Sequence, residues 1–467
     1  MKTKNEEMSS TRVTLLRCSV LVMMLVGLLP VRMSADDIIM RNDHVMAATR
    51  GEQTVSVPQQ LNLSLQEAQR FAVEQNRSLR NASLSVQEAY AQRWQTIAAM
   101  LPSVDAGYSY SNYCGYSMSM NMMGQSIDIN MPNVGAWNVT AAVGINGQGV
   151  VGALLQNLAI DMKKISLEQS ETELRGNVMT SYVTILALRS ISQLLDSSLV
   201  NIEGLARMTQ AAVNVGAAEQ TTADQIKVRV NTLKNNINAQ NRNIELAMSS
   251  LKVLLDVPVE TQITLTDDID HLLSPEAVLT LLSENFNVEQ NLNYRMLQKN
   301  TELAKRNIHM AGWAYGPTVS LAYNYTKQNY YGDGGMRMTP PNLVQVNVSI
   351  PLWSSGKRAA GVVEKKIAYE EAKNSLSEMG DQLGIQYQQL RYNLSNAYET
   401  YGNEKENIEV AQRVFTSATE KFRWGTSSNL ELTNASNDLI SAQSTYVQAM
   451  LTLVNAEVEL QKFLNNK

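Results

Sequence analysis

The chain has 467 residues, of which 44% are hydrophobic and 18% charged, with a formal net charge of −5. That mixture excludes a disordered chain and a simple bundle of membrane helices, and the acidic balance argues against a nucleic-acid partner. The three histidines, His44, His271 and His309, stand apart without metal-ligand spacing, and Cys114 has no histidine near it, so neither an enzyme nor a cofactor is expected.

Lys2, Lys4, Arg12 and Arg17 precede an apolar run from Ser19 to Leu29, and Met33-Ser34-Ala35 leads into Asp36-Asp37. A basic segment, a short apolar core and a small residue predict a secretory signal peptide over residues 1–35, cleaved after Ala35. Cys18 comes before the apolar core rather than after it, so no lipid anchor is expected. Removing five basic and two acidic residues moves the net charge to −8 and leaves Cys114 as the single thiol. An exported chain without a disulfide must draw its stability from packing and assembly. Residues 36–60 read as an N-terminal extension.

From there the chain repeats itself. Leu101-Pro102-Ser103-Val104 through Tyr110 resembles Gly316-Pro317-Thr318-Val319 through Tyr325, with Pro102 and Pro317 standing 215 positions apart. Val215-Gly216-Ala217 has its counterpart in Trp424-Gly425-Thr426, at an offset of 209. The pattern predicts two structural repeats, 61–273 and 274–467, with the join near Asp267 to Pro275. The first repeat holds helices over about 65–100, 151–213 and 223–256 and strands over about 103–113 and 136–146. The second holds helices over about 276–314, 356–421 and 429–464 and strands over about 318–328 and 343–351.

The strands alternate cleanly. Val344, Val346, Val348 and Ile350 interleave with Gln345, Asn347 and Ser349, and Trp137, Val139, Ala141, Val143 and Ile145 with Asn138, Thr140, Ala142 and Gly144. Such alternation suits a transmembrane β-barrel strand with one face in lipid and one in water. A soluble β-sandwich edge alternates equally well. Four strands on an exported chain favour the membrane, and four strands cannot close a barrel, so several copies must contribute to one.

The helices carry long 3–4 seams. One runs Leu432, Ala435, Leu439, Ala442, Tyr446, Ala449, Leu453, Ala456, Leu460, Phe463; another runs Ile226, Val230, Leu233, Ile237, Gln240, Ile244, Ala247, Leu251, Leu254. A third passes through Leu188, Ile191, Leu195, Ser198, Ile202, Leu205, Thr209 and Ala212. These are coiled-coil seams. A rod alone would satisfy them, but here each long helix leaves a predicted strand and turns back at a glycine, which makes a tunnel wall.

On the duplicated helix–hairpin–helix plan and the paired glycine turns, about Leu61 to Phe463 resembles the TolC family of outer-membrane efflux and secretion channels. The resemblance implies a mainly α protein with membrane β: a homotrimer whose twelve-stranded β-barrel in outer-membrane lipid continues as a long periplasmic α-helical coiled-coil barrel. It further implies docking to a periplasmic membrane-fusion (adaptor) protein and an inner-membrane pump of RND or ABC type. The docking tips would be Val215, Gly216, Ala217, Trp424, Gly425 and Thr426. Glu431 takes the position of the family's acidic residue near the closed tip, and Asn434 that of a second aspartate in some channels. In the first turn the acidic position is Thr222, with Asp224 two residues later, so an acidic gate ring is weaker there. The function implied is a passive exit duct for small molecules. A duct for type I protein secretion, or a pore-free periplasmic scaffold or adaptor, are the other readings.

One stretch stands outside this plan. Cys114, Met118, Met120, Met122 and Met123 crowd the loop between the first two strands, and thioethers and thiols suit Cu(I). Flexible thioethers also pack loops, and that reading is the simpler one.

Overall fold

The computed structural model describes residues 60–122, 125–216, 218–272, 275–331 and 340–464. The signal segment, nearly all of the N-terminal extension, and residues 273–274 at the expected join lie outside the described residues. In chain order the elements are β1 (Gln60–Leu63), α1 (Leu65–Gln75), α2 (Arg77–Ala98), β2 (Ser103–Ser111), β3 (Ser117–Met122), β4 (Gln125–Asn130) and β5 (Asn133–Asn146). Next come α3 (Gly147–Asn214), α4 (Gln220–Leu254), β6 (Gln262–Leu265), α5 (Pro275–Ser283) and α6 (Leu292–Gly312). The chain closes with β7 (Thr318–Tyr331), β8 (Asn342–Ser349), α7 (Lys357–Arg423) and α8 (Asn429–Leu464).

Two compact units divide the chain, and neither follows the repeat. One takes residues 86–162 and 299–373; the other takes the described part of residues 50–85 with 163–298 and 374–467. Both halves of the sequence contribute to each unit.

The strand unit holds a four-stranded antiparallel sheet in the order β2-β5-β7-β8. The two long strands from different halves, β5 and β7, pair over their full length, from Asn133↔Tyr331 to Asn146↔Thr318. The methionine stretch, expected as a loop, forms a separate hairpin of β3 and β4, with Met118 opposite Ile129 and Met120 opposite Ile127. Its period-2 alternation of Ser, Met and Asn against Ile127 and Ile129 is a strand pattern, obscured by the modest strand preference of methionine.

The helical unit is built on seams. In α8, Leu432, Ala435, Leu439, Tyr446, Ala449, Leu453, Leu460 and Phe463 are all buried. One core joins four helices through Ile202, Leu205, Ile226, Leu233, Phe415 and Leu432. Another packs α1, α3 and α4 against the parallel pair β1 and β6, with Leu63, Ile263 and Leu265 buried between them. Tyr182 ties this pair together: its hydroxyl donates to the Leu63 carbonyl at 2.9 Å and accepts from the Asp267 N–H at 3.3 Å. Burial pushes that hydroxyl's pKa up to about 12. At 68 residues, α3 is about 100 Å long. It holds a window apolar enough to cross a membrane, half of it buried; Val178, Tyr182, Ile185 and Leu186 lie in the core with β1 and β6, and Met179, Val183 and Ala187 in a third core with residues of α7 and α8.

Two expected helices are each broken once. The helix expected over about 65–100 stops at Asn76, and the one over about 276–314 is interrupted between Ser283 and Leu292. The cause is the same asparagine device twice, 215 positions apart. Asn76 accepts at Oδ1 from the N–H groups of Ser78 and Leu79, capping α2, while its amide donates to the Leu254 carbonyl at 2.9 Å. Asn291 accepts from Asn293 and Tyr294, capping α6, and donates to the Phe463 carbonyl at 2.9 Å. Each side chain satisfies orphan donors at a helix start and a carbonyl at the end of a return helix.

Candidate functional site: a two-faced sheet and two hairpin tips

The sheet register brings like residues together. Val104, Ala141, Tyr323 and Val344 form one row across all four strands, and Ile145, Val319 and Val348 form another. Trp137, Ile145, Val346 and Val348 on this face are more than half exposed. Burying an aliphatic side chain of this size is worth about 1.5–3 kcal/mol, so an apolar face of this extent needs a non-aqueous neighbour. The opposite face is a polar ladder. Thr140 Oγ1 donates to Asn324 Oδ1 at 2.8 Å, Thr326 Oγ1 to Asn138 Oδ1 at 2.9 Å, and Asp105 stands opposite Thr140. Among the described residues β2 and β8 are each paired on one side only, so both edges of the sheet carry unpaired backbone groups.

Each hairpin tip turns at a left-handed glycine, with φ of 76° at Gly216 and 70° at Gly425. At the second tip, Gly425 N–H donates to the Phe422 carbonyl at 3.0 Å and Thr426 N–H to the Lys421 carbonyl at 2.9 Å. That pair is a complete Schellman cap. At the first, Gly216 N–H donates to the Val213 carbonyl at 2.9 Å; Ala217, the next expected docking residue, lies outside the described residues. Val215 and Trp424 are exposed at 79% and 76%.

The expected gate residues sit on the return helices. Ser428 caps α8 by accepting from the Glu431 N–H at 3.1 Å, and Ser427 donates to the Glu431 carboxylate at 2.6 Å. Glu431 and Asn434 both line a groove of about 660 Å³ between α7 and α8, with Arg413, Lys421 and Asp438 on its walls. In the first tip Thr222 is half-buried, and Asp224 is exposed and accepts from Gln220 at 2.9 Å.

Of the soft-metal residues, Cys114 is exposed, with a positive φ of 54°, and its Sγ lies 3.9 Å from the Asn112 carbonyl. Met118 is 38% exposed. Met120 and Met122 lie in β3, and Met123 lies outside the described residues. Among the described residues no three His, Cys, Asp or Glu side chains gather as a metal site.

Sequence reasoning missed Asn76 and Asn291, although their 215-residue spacing was a usable signal. It also missed Glu457, which is 3% exposed and faces a cavity of about 270 Å³. Its Oε1 accepts from Gln461 at 3.0 Å, while Oε2 is buried without a partner. Burial alone pushes its pKa up to about 7. Arg175 and Lys462 share the cavity but engage Glu171 and Glu459, at 3.0 and 2.9 Å.

The outer membrane efflux protein family model matches residues 70–256 and 288–466, one segment in each half. The chain is similar to the probable efflux pump outer membrane protein TtgC of Pseudomonas putida, 23% identical over 430 residues, covering 86% of this chain and 82% of that protein. It is also similar to the outer membrane efflux protein BepC of Brucella suis, 21% identical over 298 residues, covering 63% and 64%. Among solved structures, CusC superposes with a TM-score of 0.68 at 16% identity, covering 86% of this chain and 91% of that one. The CmeC outer membrane channel of Campylobacter jejuni gives 0.63 at 15%, covering 86% and 87%. With a family match over most of its length, this chain belongs to the outer membrane efflux protein family, a family of outer-membrane channels and not of enzymes.

Proposed function

We propose that three copies of this chain assemble into one channel, which serves as the passive exit duct of a tripartite pump exporting small molecules. The observation that carries the reading is the two-faced sheet with two unpaired edges. An apolar face suits lipid and a polar ladder suits a water-filled lumen, while open edges are intolerable in hydrocarbon. Pairing β2 of one copy with β8 of the next removes both edges, and three four-stranded sheets make a twelve-stranded barrel. The names of relatives, which include toluene and antibiotic efflux pump proteins, support small apolar compounds as cargo.

In this reading the tips at Val215 to Ala217 and Trp424 to Thr426 receive a periplasmic adaptor helix that couples the duct to an inner-membrane pump. Glu431, with Asn434, Thr222 and Asp224, rings the narrow end and biases it toward cations. Purified protein should run as a trimer and conduct ions in planar bilayers, with cation preference reduced by Glu431→Gln. Deleting the gene should sensitise cells to solvents and antibiotics. A monomer, soluble without detergent and silent in bilayers, would replace the duct with a periplasmic scaffold.

A further inference from the structure

The cavity beside Glu457 lies where α1, α3 and α8 meet, next to Leu272. Gly176 lets α3 approach α8 closely there, since a Cβ would stand 2.9 Å from both Val458 and Lys462. Gln69 of α1 ties the third helix in by donating from Nε2 to the Arg175 carbonyl at 3.2 Å. Leu65, Met179, Leu272 and Val458 supply an apolar wall. At about 270 Å³ the space is smaller than a drug-sized pocket.

Donors and acceptors are out of balance in its lining. The charged donors are committed: Arg175 engages Glu171 at 3.0 Å and Lys462 engages Glu459 at 2.9 Å. Thr172 Oγ1 donates to the Glu168 carbonyl at 3.0 Å. The amide nitrogens of Gln69 and Gln461 are committed too, to the Arg175 carbonyl and to Glu457 Oε1. Acceptors are in surplus. Glu457 Oε2 has no partner although the residue is only 3% exposed, and the side-chain carbonyls of Gln69 and Gln461 remain to accept. Gln66, the last polar residue of the lining, brings one group of each kind. Charge is out of balance in the same direction. Arg175 and Lys462 are offset by Glu171 and Glu459, so an ionised Glu457 is left uncompensated, and its burial makes that state costly.

We infer that this cavity binds a small primary alkylammonium ion, its ammonium group on Glu457 and the carbonyls of Gln69 and Gln461, its alkyl chain on the apolar wall. An ammonium carries three donors and no acceptor, which answers the surplus, and its charge answers the carboxylate. Water would satisfy Oε2 but leave the charge. An alkali ion would balance the charge but leave the apolar wall unused. In the first half Met248 holds the position equivalent to Glu457, so the site is particular to the second return helix. All of its residues belong to one compact unit, and it needs neither a second copy nor a membrane.

The test is titration calorimetry of the full-length protein, purified in detergent, with propylammonium chloride at pH 8 in a phosphate buffer free of amines. The expected result is a single saturable site per chain. Glu457→Gln, which keeps the shape and removes the charge, should weaken binding roughly tenfold or more, and Glu457→Met should abolish it. Gln69→Leu leaves the carboxylate in place and should weaken binding about threefold. Propylammonium should also raise the unfolding temperature of the parent and leave that of Glu457→Met unmoved. Tetramethylammonium, which has the charge but no N–H, should not compete, and neither should sodium at the same concentration. A parent that takes up no propylammonium overturns the site, as does binding that survives unchanged in Glu457→Met. Equal competition by sodium or tetramethylammonium overturns it as well, because the charge alone would then be recognised.

Discussion

The two return helices, α4 and α8, align at an offset of 209 without a slip. Ile226, Val230, Leu233, Ile237, Ile244 and Leu251 match Ala435, Leu439, Ala442, Tyr446, Leu453 and Leu460, and Leu254 matches Phe463 at the ends that receive the asparagine amides. Along so closely repeated a plan the departures are informative. Met248, partly buried in the core of the first half, is replaced by Glu457. Glu219, which starts α4 without a side-chain cap, is replaced by the capping Ser428. The apolar seam keeps its register in both halves, and two of the departures fall on a buried charge and on a tip.

The largest effect is expected at Glu457. Its folded pKa of about 7 lies above the unfolded value of 4.5, so the folded state holds the proton more tightly. Below pH 4.5 the carboxyl is neutral in both states and costs little. As pH rises from 4.5 to 7 the unfolded chain ionises first, and stability is lost across that window, reaching a plateau above it. Glu457→Met, which copies the first half, should therefore stabilise the protein by about 3 kcal/mol at pH 8 and have little effect at pH 4. Denaturant unfolding of detergent-purified protein at both pH values reads the difference; equal effects would mean that the carboxylate is solvated or paired in the assembly.

A smaller effect is expected where the two halves agree. Gly216 and Gly425 have open space where a Cβ would stand and differ by only a few degrees in φ. Valine at either should cost about 1–2 kcal/mol, purely from the left-handed backbone, and asparagine should cost less. The functional consequence sharpens the comparison: with normal amounts of assembled protein, Gly425→Val should abolish export by preventing adaptor docking. Export that survives this change would remove the tip from the docking surface.

Much of this architecture was legible from period alone. The seams at 226–254 and 432–463 are nearly uninterrupted, and the strand alternations at 137–145 and 344–348 survive in the register. Periodicity could not reveal where a helix breaks, because Asn76 and Asn291 sit within helical patterns and act through a distant carbonyl. Nor could it reveal the burial of Glu457. That depends on α3 approaching α8 at Gly176, where a Cβ would meet Val458 and Lys462 at 2.9 Å.

The smallest effect concerns the starts of the return helices. Ser428 satisfies the N–H of Glu431 with its hydroxyl, and its neighbour Ser427 holds the Glu431 carboxylate. Glu219 stands in extended backbone, with φ −82° and ψ 145°, the geometry of a cap position whose side chain does not cap. Glu219→Ser should therefore gain about 0.5–1 kcal/mol, and Ser428→Ala should lose about 1 kcal/mol. Hydrogen exchange of the first-turn amides of α4 and α8 separates local from global effects, since each change should alter protection in its own helix only. The Ser428 change also frees Glu431 from its capping turn. If the gate depends on that carboxylate's position, Ser428→Ala should change single-channel conductance while Glu219→Ser leaves it unaltered. An equal response from both would mean that the two tips contribute alike and that the serine cap is only a helix start.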